Sequence, residues 1–155
     1  MQTYQKKVKI LLPKNTSIAI AESCTGGLLA NTLTNISGAS SFFWLGIIAY
    51  DNRAKTKLLK IPTALIVKHG AVSRPVAALM AKNVRQLLDT DLGIGITGIA
   101  GPTGGSKLKP VGLVYIAVAS RRRTRTHAFH FKGSRLAVKK QAVQEAIDLL
   151  IKAST

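Results

Sequence analysis

Strands that alternate with helices and close on one hairpin predict an α/β protein, a three-layer α/β/α sandwich on a mixed, mainly parallel β-sheet. Three observations carry that expectation. Apolar runs at residues 17–21, 42–50 and 92–97 have strand length, and turn residues follow each of them. The segments between them repeat apolar residues at helical spacing. Two further runs, 111–119 and 124–131, flank an arginine-rich turn in the manner of a hairpin. The 155 residues contain no internal repeat or low-complexity linker, so residues 1–155 are expected to form one domain, large enough to bury a core without staples.

In chain order, residues 2–12 place apolar and basic residues at helical spacing and stop before Pro13, as a helix usually must. Asn15 and Thr16 turn the chain into the first strand, 17–21. Residues 27–35 read as a helix broken by Ser37-Gly38-Ala39-Ser40. The run 42–50 is almost wholly apolar and reads as a central strand, since a strand covered on both faces need not alternate. A short helix follows at 53–59, and Pro62 opens another that ends near His69-Gly70. Ser73 reads as the N-cap of a longer amphipathic helix with Val76, Leu79, Met80, Val84, Leu87 and Leu88 on its apolar side.

The third strand, 92–97, runs into Gly98-Ile99-Ala100-Gly101-Pro102-Thr103-Gly104-Gly105, where four glycines and a proline exclude regular structure. In the hairpin the second strand alternates and therefore keeps one solvent face. Gly133-Ser134 opens a last helix to about residue 152, with Ala137, Val138, Ala142, Val143, Ala146, Ile147, Leu150 and Ile151 on the buried side.

Charge is the compositional outlier. Lys and Arg number 23 against 6 Asp and Glu, a formal charge of +17 with a pI near 10.6. Such a balance steers anionic ligands and gives non-specific nucleic-acid binding at most: the basic residues are spread along the chain, and the densest run, Arg121-Arg122-Arg123 with Arg125, falls in a solvated hairpin turn. Aromatics at 5% leave little for a stacking platform. A hydrophobic content of 46% and a mean hydropathy of +0.19 suit a compact soluble fold. The longest apolar runs, 42–48 and 111–119, are too short to span a bilayer, so no membrane partner is expected. Lys6, Lys7 and Lys9 are not followed by an export signal, which makes the cytoplasm the expected location. A single cysteine, Cys24, excludes an internal disulfide and a cysteine-based metal cluster, and His69, His127 and His130 lack metal-ligand spacing. No metal and no cofactor is expected.

The chemistry concentrates at Glu22-Ser23-Cys24-Thr25-Gly26-Gly27. A strand that ends in small polar residues and paired glycines turns sharply and points N–H groups into one concavity, suited to an anion or oxyanion. The same residues read equally as a helix cap and a strand–helix joint. In an open α/β sheet ligands sit beyond the carboxyl ends of the strands. If the first three strands are parallel neighbours, the loops 22–27, 50–55 and 98–109 share one rim that holds Ser23, Thr25, Tyr50, Asn52, Lys55, Thr97 and Lys109. Tyr50 and Lys55 read alternatively as the end of a core strand and a solvated helix face. Cys24, beside Ser23, reads as a small buried filler or, alternatively, as a nucleophile itself.

The segments 21–27 (AESCTGG), 49–55 (AYDNRAK), 70–73 (GAVS), 97–102 (TGIAGP), Gly104-Gly105 and 109–112 (KPVG) resemble the C-terminal domain of the competence/damage-inducible protein CinA, a family that includes stand-alone nicotinamide mononucleotide deamidases. The resemblance runs in order through nearly the whole chain. It implies an α/β/α fold and a cytoplasmic amidohydrolase of pyridine-nucleotide salvage, which converts nicotinamide mononucleotide to nicotinate mononucleotide and ammonia. It also implies a homo-oligomer, with a dimer favoured. Ser23 is then the nucleophile, with Tyr50 and Lys55 the groups that activate it. A serine hydroxyl attacks an amide only when its proton is withdrawn, and without a catalytic histidine a neutral lysine or a tyrosinate can serve. A surface this positive disfavours one more ammonium, which favours a neutral Lys55. N–H groups from Cys24 to Gly27 would hold the oxyanion.

Substrate contacts are expected from Glu22, Thr25, Gly26, Gly27, Asn52, Thr97, Gly98, Gly101, Gly104, Gly105 and Lys109. The 5′-phosphate would go to the 101–105 loop with Lys109 or an arginine, and Glu22 would orient the loop of Ser23. A non-catalytic relative that binds a nucleotide or a protein is the alternative. The chain departs from the family pattern at Trp44 and Asp51, where small residues are usual, at Arg53 and Arg74 in place of acidic residues, at Asn83 in place of glycine, and at Ser134. Asp51 and Arg53 lie between Tyr50 and Lys55, so they bear on substrate preference and rate more than on fold.

Overall fold

A computed structural model describes residues 7–8 and 15–154. The chain runs through β1 (Ile18–Glu22), α1 (Leu28–Thr34), a 3-10 turn (Ala39–Ser41), β2 (Phe43–Ile48), α2 (Asn52–Leu59), α3 (Thr63–His69), α4 (Arg74–Leu87), β3 (Leu92–Gly98), β4 (Leu113–Ala119), β5 (Thr124–His130) and α5 (Arg135–Ser154). The helix expected over 2–12 lies outside the described residues, apart from Lys7 and Val8, which are helical.

The five strands form one sheet in the order β2-β1-β3-β4-β5. The β1 strand pairs in parallel with β2 and with β3, whereas β3–β4 and β4–β5 are antiparallel. The sheet is mixed as expected, and four of its five strands run the same way. Because β2, β1 and β3 are parallel neighbours, the loops that leave their carboxyl ends do share one rim.

Side-chain alternation divides the core between two faces. Ile18, Ile20, Ile94, Ile96, Val114 and Ile116 face α1 and α5, where they meet Leu29, Leu33, Val138 and Ile147. Ala19 and Ala21 face the other layer, with Leu59 of α2, Ile66 of α3 and Val76, Met80 and Val84 of α4. This second layer approaches closely because β3 carries glycines there. A Cβ on Gly93 would stand 2.2 Å from the Ala81 carbonyl oxygen, and one on Gly95 would stand 2.5 Å from that of Ala77. Glycine in mid-strand is required by the backbone of α4.

Three sequence expectations change. The 42–50 run is not central: β2 is an edge strand whose side chains alternate between half-buried and exposed. Its apolar composition matched that of a covered strand, but Trp44 and Ile48 are 52% and 54% exposed. Ser73 occupies the N-cap position of α4 without capping it, since its hydroxyl donates to the Gly70 carbonyl at 2.8 Å. Leu87 and Leu88, expected on the apolar side of α4, are about half exposed at its C-terminal end. Among the described residues, no helix is long and apolar enough to cross a membrane.

Candidate active site

The turn after β1 is held from beneath by Glu22. Its buried carboxylate accepts the N–H groups of Gly27 at 3.1 Å, Leu29 at 3.1 Å and Ala30 at 2.8 Å, which takes up the unpaired donors at the start of α1. Gly26 and Gly27 adopt φ of +61° and +92°, conformations open chiefly to glycine, and so the chain can reverse into the helix. Ser23 is fixed at the head of this turn by its N–H bond to the Ile96 carbonyl at 3.0 Å.

Lys55 reaches Ser23 from the next loop. The Asp51 carboxylate accepts the Arg53 N–H at 2.8 Å and caps α2, and Lys55 lies on the inward side of the following turn, 1% exposed. Its Nζ donates to the Ala49 carbonyl at 2.8 Å, the Tyr50 carbonyl at 3.1 Å and the Ser23 hydroxyl at 3.1 Å. Burial holds the Lys55 pKa below its ordinary value of 10.5, against the opposing charge of the Asp51 carboxylate. Desolvation is the principal cause, and not the overall positive charge expected to act here. The partner set also fits the neutral amine, which has two N–H donors for the two carbonyls and one lone pair for the Ser23 O–H.

Ser23 and Lys55 form the floor of a cavity of about 270 Å³, whose walls include Thr97, Gly98, Gly101 and Gly104. At its mouth stands Arg135, the first residue of α5. Its Nη2 donates to the Tyr50 hydroxyl at 2.6 Å and its Nη1 to the Gly101 carbonyl at 2.7 Å, so one guanidinium ties two loops together. The Tyr50 phenol is therefore directed to Arg135 and makes no hydrogen bond to Ser23 or Lys55; the residue meets Lys55 through its carbonyl.

Of the expected contact residues, Asn52, Thr97, Gly98, Gly101 and Gly104 line the cavity. The Thr97 hydroxyl itself donates to the Ala71 carbonyl at 2.9 Å. Glu22, Thr25, Gly26, Gly27, Gly105 and Lys109 do not line it. The Glu22 carboxylate is engaged with α1, Thr25 is fully buried with its hydroxyl unpartnered, and the Lys109 ammonium donates to the His69 carbonyl. The Gly26 N–H bonds to the Ser23 carbonyl at 3.0 Å and that of Gly27 to Glu22, and Thr25 does not line the cavity, which leaves Cys24 as the candidate oxyanion donor. Burial pushes the Cys24 thiol up to about 12, so the sulfur is a protonated wall of the cavity and not a nucleophile. Among the described residues no group of three His, Cys, Asp or Glu side chains is placed to hold a metal ion.

Arg135 is the residue that sequence reasoning missed by number. Its sequence signal was its place as the first helical residue after Gly133-Ser134, where a side chain is directed to the rim. Asp51 and Arg53, the departures nearest the site, lie outside the cavity wall and pair with each other at 2.9 Å on the exposed end of α2.

The family model of the CinA C-terminal domain matches residues 1–154. The chain belongs to the CinA C-terminal domain family. It is 49% identical over 139 residues to a CinA-like protein of Koribacter versatilis and 50% identical over 141 residues to a putative competence-damage inducible protein of Moorella thermoacetica, covering 90% and 91% of this chain. In each case it spans 34% of the relative, about a third of the longer protein. The competence/damage inducible protein CihA of Agrobacterium tumefaciens superposes with a TM-score of 0.94 at 34% identity, over 99% of this chain and 94% of that one. A competence damage-inducible protein A of Klebsiella pneumoniae gives 0.91 at 30% identity, over 97% and 94%. The CinA fold therefore accounts for the whole described chain, and the cavity lies on the carboxyl rim of its parallel strands.

Proposed function

We propose that this CinA-family chain is an amidohydrolase that converts nicotinamide mononucleotide to nicotinate mononucleotide and ammonia in cytoplasmic pyridine-nucleotide salvage. The observation that carries the reading is the buried Lys55 Nζ, 3.1 Å from the Ser23 hydroxyl on the cavity floor and held toward neutrality by desolvation. Neutral Lys55 takes the Ser23 proton as Oγ attacks the carboxamide carbon. The N–H group of Cys24 receives the oxyanion, such a donor being worth roughly 3 kcal/mol. The Lys55 ammonium returns its proton to the departing nitrogen, and ammonia leaves an ester on Ser23. Lys55 then deprotonates a water that cleaves this ester, which restores the hydroxyl and frees the carboxylate product. Arg135 and the 101–104 loop take the phosphate; Arg135 exchanges two neutral acceptors for charged oxygens, and such hydrogen bonds are the stronger kind. The phenol of Tyr50 positions Arg135 in this scheme and is not the base.

The test is ammonia release from nicotinamide mononucleotide by the purified chain without added metal, beside Ser23→Ala, Lys55→Met and Tyr50→Phe. The proposal expects turnover by the unsubstituted chain and Tyr50→Phe and none by the other two. Absence of turnover with retained nucleotide binding would put the non-catalytic binding module in its place.

A further inference from the structure

Arg121-Arg122-Arg123 with Arg125 is the densest basic run in the chain, and no step at Ser23 or Arg135 uses it. The arginines divide by what their guanidiniums hold. Arg53, Arg85 and Arg121 pair with carboxylates, Arg74 donates to the Thr126 carbonyl, and Arg135 donates to Tyr50 and Gly101. Among the described residues the guanidiniums of Arg122, Arg123 and Arg125 have no such partner. Two of them, Arg123 and Arg125, line one cavity of about 90 Å³ together with Lys152.

The cavity lies where the end of β4 and the start of β5 meet the last turns of α5. Arg125 is registered opposite Val118, whose side chain packs on the α5 face, so the pleat puts Arg125 on that face too. The Ser120 hydroxyl accepts the Arg123 N–H at 3.3 Å and holds the turn that carries Arg123. Leu149 and Lys152, three residues apart, close the helix side. Among the described residues no carboxylate lines this cavity. Because β4 runs antiparallel to β3, it opens on the rim opposite Ser23, and the path along α5 from Arg135 to Lys152 is about 25 Å.

We propose that this cavity is a second anion site, which seats the phosphoryl dianion of a phosphomonoester. Its volume of about 90 Å³ is roughly three times a water's share of the liquid, room for a phosphoryl group while an attached sugar or base stays in solvent. Charge selects the dianion. Cations gathered without a carboxylate repel one another, and two negative charges relieve that repulsion more than one does. Arginine adds a planar fork of donors that matches phosphate oxygens. The macrodipole at the end of α5 gives a reason for Lys152, but none for two strand-side guanidiniums to share its cavity. A nucleic-acid backbone diester carries a single charge at each phosphate and cannot supply the dianion.

Isothermal titration with inorganic phosphate at low salt reads the site, and Arg135→Gln removes competing binding at the catalytic mouth. Arg135→Gln should still bind one phosphate per chain, more weakly as the dianion takes up a proton below about pH 6. Adding Arg123→Gln and Arg125→Gln should weaken that binding roughly tenfold or more. Lys82→Gln with Lys140→Gln removes the same charge from exposed helix positions and should weaken it less than about twofold. Adenosine 5′-monophosphate should bind there and adenosine should not. In the otherwise unsubstituted chain, Arg123→Gln with Arg125→Gln should keep the circular-dichroism spectrum and the rate of ammonia release; the titration needs no turnover, so this site and the catalytic reading fail separately. No phosphate bound by Arg135→Gln overturns the site. Equal weakening by the Lys82 and Lys140 pair also overturns it, by assigning the binding to overall charge. Tighter binding of a duplex without terminal phosphates, lost on the same two arginine substitutions, overturns the choice of a phosphomonoester.

Discussion

The floor and the mouth of the cavity are built on opposite terms. On the floor, Lys55 is 1% exposed and every Nζ partner lies in a backbone turn or on Ser23, so the pair is fixed before any ligand arrives. At the mouth, Tyr50 is 56% exposed, and Arg135 is held by neutral acceptors that an anion can displace. The floor sets the reaction class, and the mouth sets which substrate is held over it. A preorganised floor acts at the moment of reaction without rearranging, while an exposed mouth can open and close around a ligand.

Substitutions on the two sides should separate kcat from KM. The largest effect is expected on the floor: Ser23→Ala and Lys55→Met should each lower kcat by roughly 10⁴-fold or more, and combining them should cost little beyond either alone, because the two act as a unit. Ammonia release under saturating nicotinamide mononucleotide reads this. At the mouth, Arg135→Gln should raise KM by roughly 10- to 100-fold, the effect of losing a charged hydrogen bond worth about 1.5–3 kcal/mol, with kcat nearly unchanged. The increase should vanish for a substrate that lacks the phosphate; a fall in kcat instead would move Arg135 into the chemistry. Tyr50→Phe, which leaves Arg135 with the Gly101 carbonyl alone, should raise KM by a smaller factor on the same assay.

Two further substitutions bound the comparison from outside the chemistry. Gly95→Ala forces a methyl against the backbone of α4 and should lower unfolding stability by about 1–3 kcal/mol in a denaturant titration, with kcat per folded molecule preserved. Cys24→Ala should leave turnover within about threefold, since a thiol with a pKa near 12 supplies packing and not reactivity.

How much could be read from the sequence follows the same division. The rim was legible because strand-ending glycines and short apolar runs are local signals, and the parallel β2-β1-β3 order then brings Ser23 and Lys55 together. The mouth was not. Arg135 is one of 23 Lys and Arg, and its bond to Tyr50 spans 85 positions, a distance that no periodicity encodes. Lys109 looked like a phosphate ligand by its place in the glycine-rich loop, yet its ammonium folds back to His69. Glu22 looked like a contact residue, but the unpaired N–H groups of α1 claim its carboxylate. The edge position of β2 escaped for a related reason: apolar content does not by itself tell an edge strand from a central one.

The central claim is that neutral Lys55 removes the Ser23 proton, and the pH dependence of ammonia release from nicotinamide mononucleotide tests it most directly. Burial lowers the Lys55 pKa from 10.5, and only the deprotonated amine carries a lone pair. The account predicts that kcat/KM rises about tenfold per pH unit below that lowered pKa and levels off before pH 10.5 is reached. A rate that is flat with pH, or that falls as pH rises through this range, would contradict it.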